Sequence, residues 1–366
     1  MRMTAKWAAI AALCLVPSIG SSAKQASQAN GGNGTLYIGA YPNRVLIIDE
    51  ATEKVTGEIK MQSTYAPGTL ILSGDKKRFY TRSIDLENIE VVDIPSRKSI
   101  DLFKLSDGRR KVRIRAMAAD PLDRFLVGLV KLAEKKSDHF EIGTTTLAVI
   151  DLKEHKITRT VPWPDDDARE NATMMFSPDG KYLYLFGPDI VIYDTSTFQA
   201  VDKWELSQPI ESGMGRIEFG ATDTTFEEPG FYTAIFRVND PLQKRLMMGI
   251  ARVNLSAKTM EFSTLGPAEN VTFSLAPGRK RAYGLYQSIG KYELWTFDVE
   301  NRSLLKRLEF QGRPRMALKT STNGKLLYIY QAGNTIDLYE ADTYKYLRTI
   351  TLDGDSTTPL QVMPAQ

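Results

Sequence analysis

Short apolar runs recur along the chain, separated by residues that favour tight turns. The clearest unit covers residues 172–204. Thr173-Met-Met-Phe176 leads into Ser177-Pro178-Asp179-Gly180, then Lys181-Tyr-Leu-Tyr-Leu-Phe186, a Gly-Pro-Asp break, and Ile190-Val-Ile-Tyr-Asp194. Thr195-Ser-Thr197 then turns the chain into a last run, residues 200–204. The pattern predicts four short antiparallel strands, because Pro followed by Asp-Gly suits a tight reversal. The aspartate that ends the third strand is placed to accept hydrogen bonds from the amides of the next turn.

This unit repeats. Its first turn recurs at Ser73-Gly-Asp-Lys-Lys77, Asp120-Pro-Leu-Asp123, Ala276-Pro277-Gly278-Arg279 and Ser321-Thr-Asn323-Gly324-Lys325. Its third-strand terminus recurs at Asp49, Asp93, Asp151, Asp194, Asn254, Asp298 and Glu340. Most of these markers stand 42 to 44 residues apart, and two gaps of 58 and 60 residues hold insertions, near 131–143 and near 220–245. A period near 43 with four strands per unit predicts an all-β, seven-bladed β-propeller. Leu36 opens a second-type strand with no first-type strand before it, whereas Thr358-Pro-Leu-Gln-Val-Met363 reads as a first-type strand at the other end. The C-terminal strand is therefore expected to complete the first blade and close the ring, so that no sheet edge is left open there.

The first residues read as a secretory signal: Arg2 and Lys6 precede an apolar run over 7–17 that is too short to span a membrane. Small residues at Ser21-Ser22-Ala23 or Ser27-Gln28-Ala29 suit cleavage. A lipid anchor on Cys14 would need a small residue just before it, and Leu13 stands there. The expected organisation is a signal and short leader over 1–29, then a single propeller over 30–366 that is periplasmic or secreted. Losing Arg2, Lys6 and Lys24 leaves 44 basic residues against 44 acidic. A near-neutral chain lacks the basic footprint of a nucleic-acid binder, and no other apolar run is long enough for a membrane span. Cys14 is the only cysteine, so disulfides, thiolate metal sites and Cys-x-x-Cys-His haem attachment are not expected in the mature chain.

Candidate chemistry is sparse. His139 and His155 are the only histidines; no His-x-x-x-His pair or Gly-x-Ser-x-Gly elbow occurs, and both histidines read as exposed turn residues. Asp165-Asp166-Asp167 lacks the alternate spacing and glycine of a calcium loop and reads as a solvated turn. No catalytic or metal-ligating set is expected. Arg115, Arg216 and Arg315 each stand near the start of a first-type strand, in blades three, five and seven. First strands line a propeller's channel, so the three guanidiniums are the candidate anion or carboxylate site. Phe231 and Tyr232, beside the larger insertion, are the candidate recognition surface.

With the blades laid out, the chain resembles the β-propeller subunit of quinohemoprotein amine dehydrogenases, within the wider YVTN-type propellers. The resemblance rests on Phe231-Tyr-Thr-Ala234 and the insertion there, on Arg279-Lys-Arg-Ala-Tyr-Gly284 through Phe297-Asp-Val-Glu-Asn301 to Lys306-Arg307, on Ser321-Thr-Asn-Gly324, and on the interruption in blade three. It implies a subunit that carries no cofactor itself. It also implies partners: a small quinone-bearing chain and a c-type cytochrome, with the propeller as docking platform. Two rivals stay open, a lactonase-like or lyase-like propeller enzyme using channel-mouth residues, and a secreted protein-interaction module.

Overall fold

A computed structural model describes residues 29–164, 168–187, 189–206, 215, 217–220, 226–331 and 333–365. The signal and its cleavage sites lie outside the described residues. Among those described, the regular elements are strands in seven four-stranded antiparallel sheets. Blade one joins β1 (Thr35–Ala40), β2 (Arg44–Asp49) and β3 (Lys54–Lys60) to β28 (Gln361–Met363). Blades two to seven follow in order: β4–β7 within 67–104, β8–β11 within 110–161, β12–β15 within 173–204, β16–β19 within 217–267, β20–β23 within 274–309, and β24–β27 within 316–351.

The expected closure is present. Thr35, Leu36 and Tyr37 pair with Met363, Val362 and Gln361. Below the short β28, the Thr358 hydroxyl accepts the Gly39 amide at 2.8 Å, and the Gln361 side chain donates to the Leu70 carbonyl of blade two at 3.1 Å. The core is a ring of interfaces rather than one centre. Separate apolar clusters fill the gaps between blades one and two, two and three, and onward round to seven and one. The inner strands read as continuous apolar runs because both their faces lie against neighbouring blades.

All seven markers end third strands, and their side chains take the turn's hydrogen bonds. Asp49 accepts from the Thr52 amide at 2.7 Å, Asp151 from those of Lys153 and Glu154 at 2.8 and 2.7 Å, and Asn254 from that of Ala257 at 3.0 Å. These bonds hold the Asp49, Asp151 and Asp298 carboxyls below the usual range; the leading cause is the Thr52 hydroxyl at Asp49, the Glu154 amide at Asp151 and the Asn301 amide at Asp298. The residue four after each marker (Glu53, Arg97, His155, Phe198, Lys258, Arg302 and Tyr344) has φ between 50° and 65°. Six of the seven hairpins also carry a bulge just before the marker. A left-handed residue with an adjacent bulge is the geometry that lets a longer hairpin loop match strand twist.

The position after the marker faces the neighbouring blade, and holds Ile94, Leu152, Leu255, Val299 and Ala341 in blades two, three, five, six and seven. In blade one it is Glu50, fully buried. Its carboxylate accepts from the Gly34 amide (2.8 Å), the Thr322 amide (2.8 Å), the Tyr328 hydroxyl (2.9 Å) and the Thr322 hydroxyl. A Cβ at Gly34 would stand 2.5 Å from the Met363 carbonyl oxygen and 2.8 Å from Glu50 Oε2, so only glycine fits. This clasp ties the segment before β1 to blade seven, where the two ends of the chain meet.

Candidate binding face

Strands alternate in direction, so the turns between second and third strands share one face with the connections between blades. That face is uneven. The second and third strands have five or six residues in blades one, two, four and seven. In blade three they are β9 (Phe125–Lys135) and β10 (Phe140–Asp151), in blade five β17 (Phe231–Asp240) and β18 (Arg245–Asn254), and in blade six β21 (Arg281–Ser288) and β22 (Lys291–Asp298). At about 3.4 Å per residue, the additional two to six residues raise these blades by roughly 7–20 Å. Their tips are apolar: Phe140 is 64% exposed, Ile142 68%, Leu242 82% and Ile289 103%. Tyr41 and Ile84 are exposed on the same face, whereas Leu122 and Tyr182 are exposed on the opposite one and Val55, Val201, Leu305 and Tyr346 near it on the outer strands. Large side chains gathered on one face of a soluble fold mark an interaction surface.

The insertion expected at 131–143 is therefore the raised tip of the β9–β10 hairpin. Much of the stretch assigned to the second insertion is strand β17; before it, Gly220 and residues 226–230 stand outside the sheet, and 221–225 lie outside the described residues. Continuous apolar and polar runs hide where a strand ends and a loop begins, which is why this boundary was misplaced. Phe226 packs against both the cluster between blades five and six and that between seven and one. Arg279 donates to its carbonyl at 2.9 Å. Phe226 is thus held beside the Arg279 turn of blade six, on the face opposite the raised tips.

The three arginines have separate surroundings. Arg115 is the extra residue of a bulge in β8 (Arg110–Ala119), and its Nη1 lies 2.7 Å from Glu170. Lys131 and the Thr145 hydroxyl each approach the other Glu170 oxygen at 3.0 Å, and they hold that carboxyl below its usual range, Lys131 foremost. Arg315 is exposed, at φ 60° in the turn before β24 (Met316–Thr320). Arg216 lies outside the described residues. Sequence reasoning missed Arg82, on β5 (Arg78–Ser83): its Nη1 donates to the carbonyls of Ile114 (3.1 Å) and Arg115, while its Nε is buried without a partner. Burial lowers the pKa of this guanidinium. Nothing in the sequence signals the bulge in the next blade that receives it.

Tyr232 is fully buried and offers no surface to a partner. Its ring stacks on Phe186 at 4.8 Å and its hydroxyl donates to the Gly220 carbonyl at 2.7 Å; burial pushes the phenol far above its ordinary pKa. Phe231 is half-buried beneath the Arg252 guanidinium, 4.5 Å from the ring centroid, and Arg252 in turn meets Glu228 at 2.6 Å. Phe231 pairs with the marker Asn254, so both aromatics stand at the end of the blade away from the raised tips. Their spacing in a strand carries no sign of which neighbour covers them.

His139 meets Asp138 at 2.7 Å on the surface. His155 stacks on Phe103 at 4.3 Å and meets Asp101 at 2.8 Å, pinning blade three to blade two. Asp165, Asp166 and Asp167 lie outside the described residues. The buried acids are held by donors: Glu90 by the Gln62 and Ser63 amides and the Ser99 hydroxyl, Asp120 by Arg124 at 2.7 and 2.9 Å, and Glu293 by Lys291, Trp295 and Arg307. A groove of about 620 Å³ opens between the outer strands of blades one and seven, beside the Glu53–Arg348 ion pair. Among the described residues, no group of three or more His, Cys, Asp or Glu is placed to hold a metal ion, and no helix is long and apolar enough to cross a membrane, which says nothing of a β-barrel.

The chain shares its fold with solved propellers. It is similar to the periplasmic gluconolactonase PpgL of Pseudomonas aeruginosa, at 13% identity over 90% of this chain and 99% of that one, with a TM-score of 0.53. It is similar to the Kuenenia stuttgartiensis hydrazine synthase (14%, 92% and 99%, TM-score 0.51) and to the dihydro-heme d1 dehydrogenase NirN (12%, 90% and 75%, TM-score 0.52). A protein of Desulfotomaculum acetoxidans described as functionally unknown has a TM-score of 0.56 at 13% identity, over 91% of this chain and 99% of that one. No family model and no curated protein matches. At such identities the likeness is one of architecture, and propellers with this architecture include enzymes.

Proposed function

We propose that this chain is an exported, non-catalytic binding or scaffold propeller, and that its assembly is a periplasmic amine dehydrogenase in which other chains carry the quinone and the haem. The observation that carries the binding reading is the uneven surface: three raised blades tipped by Phe140, Ile142, Leu242 and Ile289, on the face away from Phe226. The subunit role draws on the resemblance of blades five to seven. Export draws on the N-terminal signal pattern and agrees with a periplasmic gluconolactonase among the similar folds. In this reading the propeller positions its partners and the redox chemistry belongs to their cofactors.

The test is to purify the chain alone, record its visible spectrum, and assay aliphatic and aromatic amines with an artificial electron acceptor. No visible band and no turnover are expected. Co-purification with the products of adjacent genes should then recover a small chain and a c-type cytochrome. Turnover of an amine or a lactone by the isolated chain would overturn the scaffold reading and return the search to Arg82 and Arg115.

A further inference from the structure

In most blades the outer strand accompanies the third strand to its tip. Blade five shows this on a raised blade: β19 (Thr259–Pro267) pairs as far as Met247 on β18, and the Ala268 amide continues to the Leu246 carbonyl at 2.8 Å. In blade six β23 (Ser303–Glu309) reaches Glu293, and the Phe310 amide continues to the Tyr292 carbonyl at 3.0 Å. Blade three departs from the pattern. There β11 (Lys156–Val161) stops opposite Leu147, because Pro162 and Pro164 cannot extend a ladder. Trp163 caps the end by donating its ring N–H to the Thr145 carbonyl at 2.8 Å. Above that cap, Phe140, Glu141 and Ile142 pair with β9 and Gly143-Thr144 form a bulge in that ladder, while on their other side residues 140–144 meet no strand among the described residues. All five are exposed.

The two edges of this raised sheet are unlike. The β8 edge carries Arg110, Lys111 and Arg113, the charged side chains with which proteins blunt an open edge. The β10 edge carries Phe140, Ile142 and Thr144, and its one charge, Glu141, is engaged by Lys136 at 3.1 Å. Phe140 pairs with Lys135 and Ile142 with Ala133, which pairs with Lys111, so the two apolar side chains share a face with cations. On that face Lys135, directly opposite Phe140, has no acidic partner among the described residues.

We propose that this edge holds an extended segment of a partner polypeptide, added as a fifth strand beside β10. The unpaired backbone of the edge calls for a strand, since only another backbone supplies donors and acceptors at the ladder spacing. The segment runs along residues 140–144, β-branched or aromatic where it flanks Phe140 and Ile142, with an acidic residue at the end beside Phe140 to meet Lys135. A second copy of this chain pairing through its own β10 edge suits less well, because that edge brings the same cations and its one acid, Glu141, is already engaged by Lys136. The inference rests on the binding reading above and names the partner's chemistry.

The probe is a labelled peptide with a Val-Thr-Val-Thr-Val core flanked by glutamate pairs, titrated into the full chain and followed by anisotropy and hydrogen exchange. Binding is expected to slow exchange at residues 140–144. A lysine-flanked peptide, and one N-methylated at alternate core amides, should each bind at least about tenfold more weakly. Ile142→Lys should weaken binding by a similar factor while melting as the parent does, and Ile289→Lys on blade six should leave it unchanged. No binding of the glutamate peptide, equal binding of its N-methylated form, unaltered binding by Ile142→Lys, or protection of 140–144 by self-association alone would each refute the strand site. A natural partner that still co-purifies with Ile142→Lys sinks the strand site and spares the scaffold reading. If the parent chain recovers no partner, the scaffold reading falls, whereas the peptide result judges the edge separately.

Discussion

Deleting residues 358–366 removes the strand that completes blade one. Leu360 and Val362 are 0% and 2% exposed and sit in the cluster between blades seven and one. Exposing each side chain costs about 1.5–3 kcal/mol. The bonds from the Gly39 amide to Thr358 and from Gln361 to the Leu70 carbonyl add about 1 kcal/mol each. The sum, about 5–8 kcal/mol, rivals the whole stability of a typical domain at ~5–15 kcal/mol. The truncated chain is expected to be unfolded or aggregated at room temperature, because the loss also opens the β1 edge. A graded version is Leu360→Ala, expected to cost about 2–5 kcal/mol. At ~2.1 cal/mol/K per residue, that corresponds to a fall in melting temperature of roughly 3–7 °C for a chain of this size. The assay is thermal and denaturant unfolding followed by circular dichroism and tryptophan fluorescence. If the truncated protein melts with the parent, the ring does not depend on this strand and the closure argument is wrong.

Glu50→Ala should destabilise by about 3–5 kcal/mol, since it strands two buried and two half-buried donors, and Glu50→Gln by less, because its amide oxygen still accepts; equal denaturant midpoints for all three proteins would count against the clasp. The marker carboxyls of Asp151 and Asp298 are held below their unfolded value, so the stability they lend is present above about pH 4 and fades as pH falls through the folded value. Asp298→Asn keeps an oxygen for the Asn301 amide, as Asn254 does in its own turn, so melting at pH 7 should change little while the acid limb becomes shallower. An unchanged acid limb would show that this carboxylate does not contribute to it.

The architecture was legible because a propeller is a repeat, and each blade writes its own punctuation. Asp49, Asp93, Asp151 and their counterparts could be counted, and every one ends a third strand, since a carboxylate or amide is the side chain that satisfies that turn's amides. Ring closure was legible from the mismatch of strand types at the two ends. Which side chains meet across blades was not. Glu50 looks like one more turn residue until Thr322 and Tyr328, far along the chain, arrive to bond it. Arg115 looked like a ligand for an anion until Glu170 occupied it, and Arg82 gave no sign at all.

The same division holds for the binding face. The sequence alone placed an interruption in blade three, because the marker spacing lengthens there. Only the folded sheet showed that the interruption is a tall hairpin whose outer strand halts at Pro162, leaving Phe140 and Ile142 on an open edge. Likewise the pairing of Phe231 with Tyr232 suggested a surface, and the tertiary structure buried Tyr232 against Phe186. A repeat period and its turn residues are local properties, carried by neighbouring residues through backbone hydrogen bonds. Exposure and ion pairing depend on which blade stands next to which, so the chain settles them only when the ring is shut.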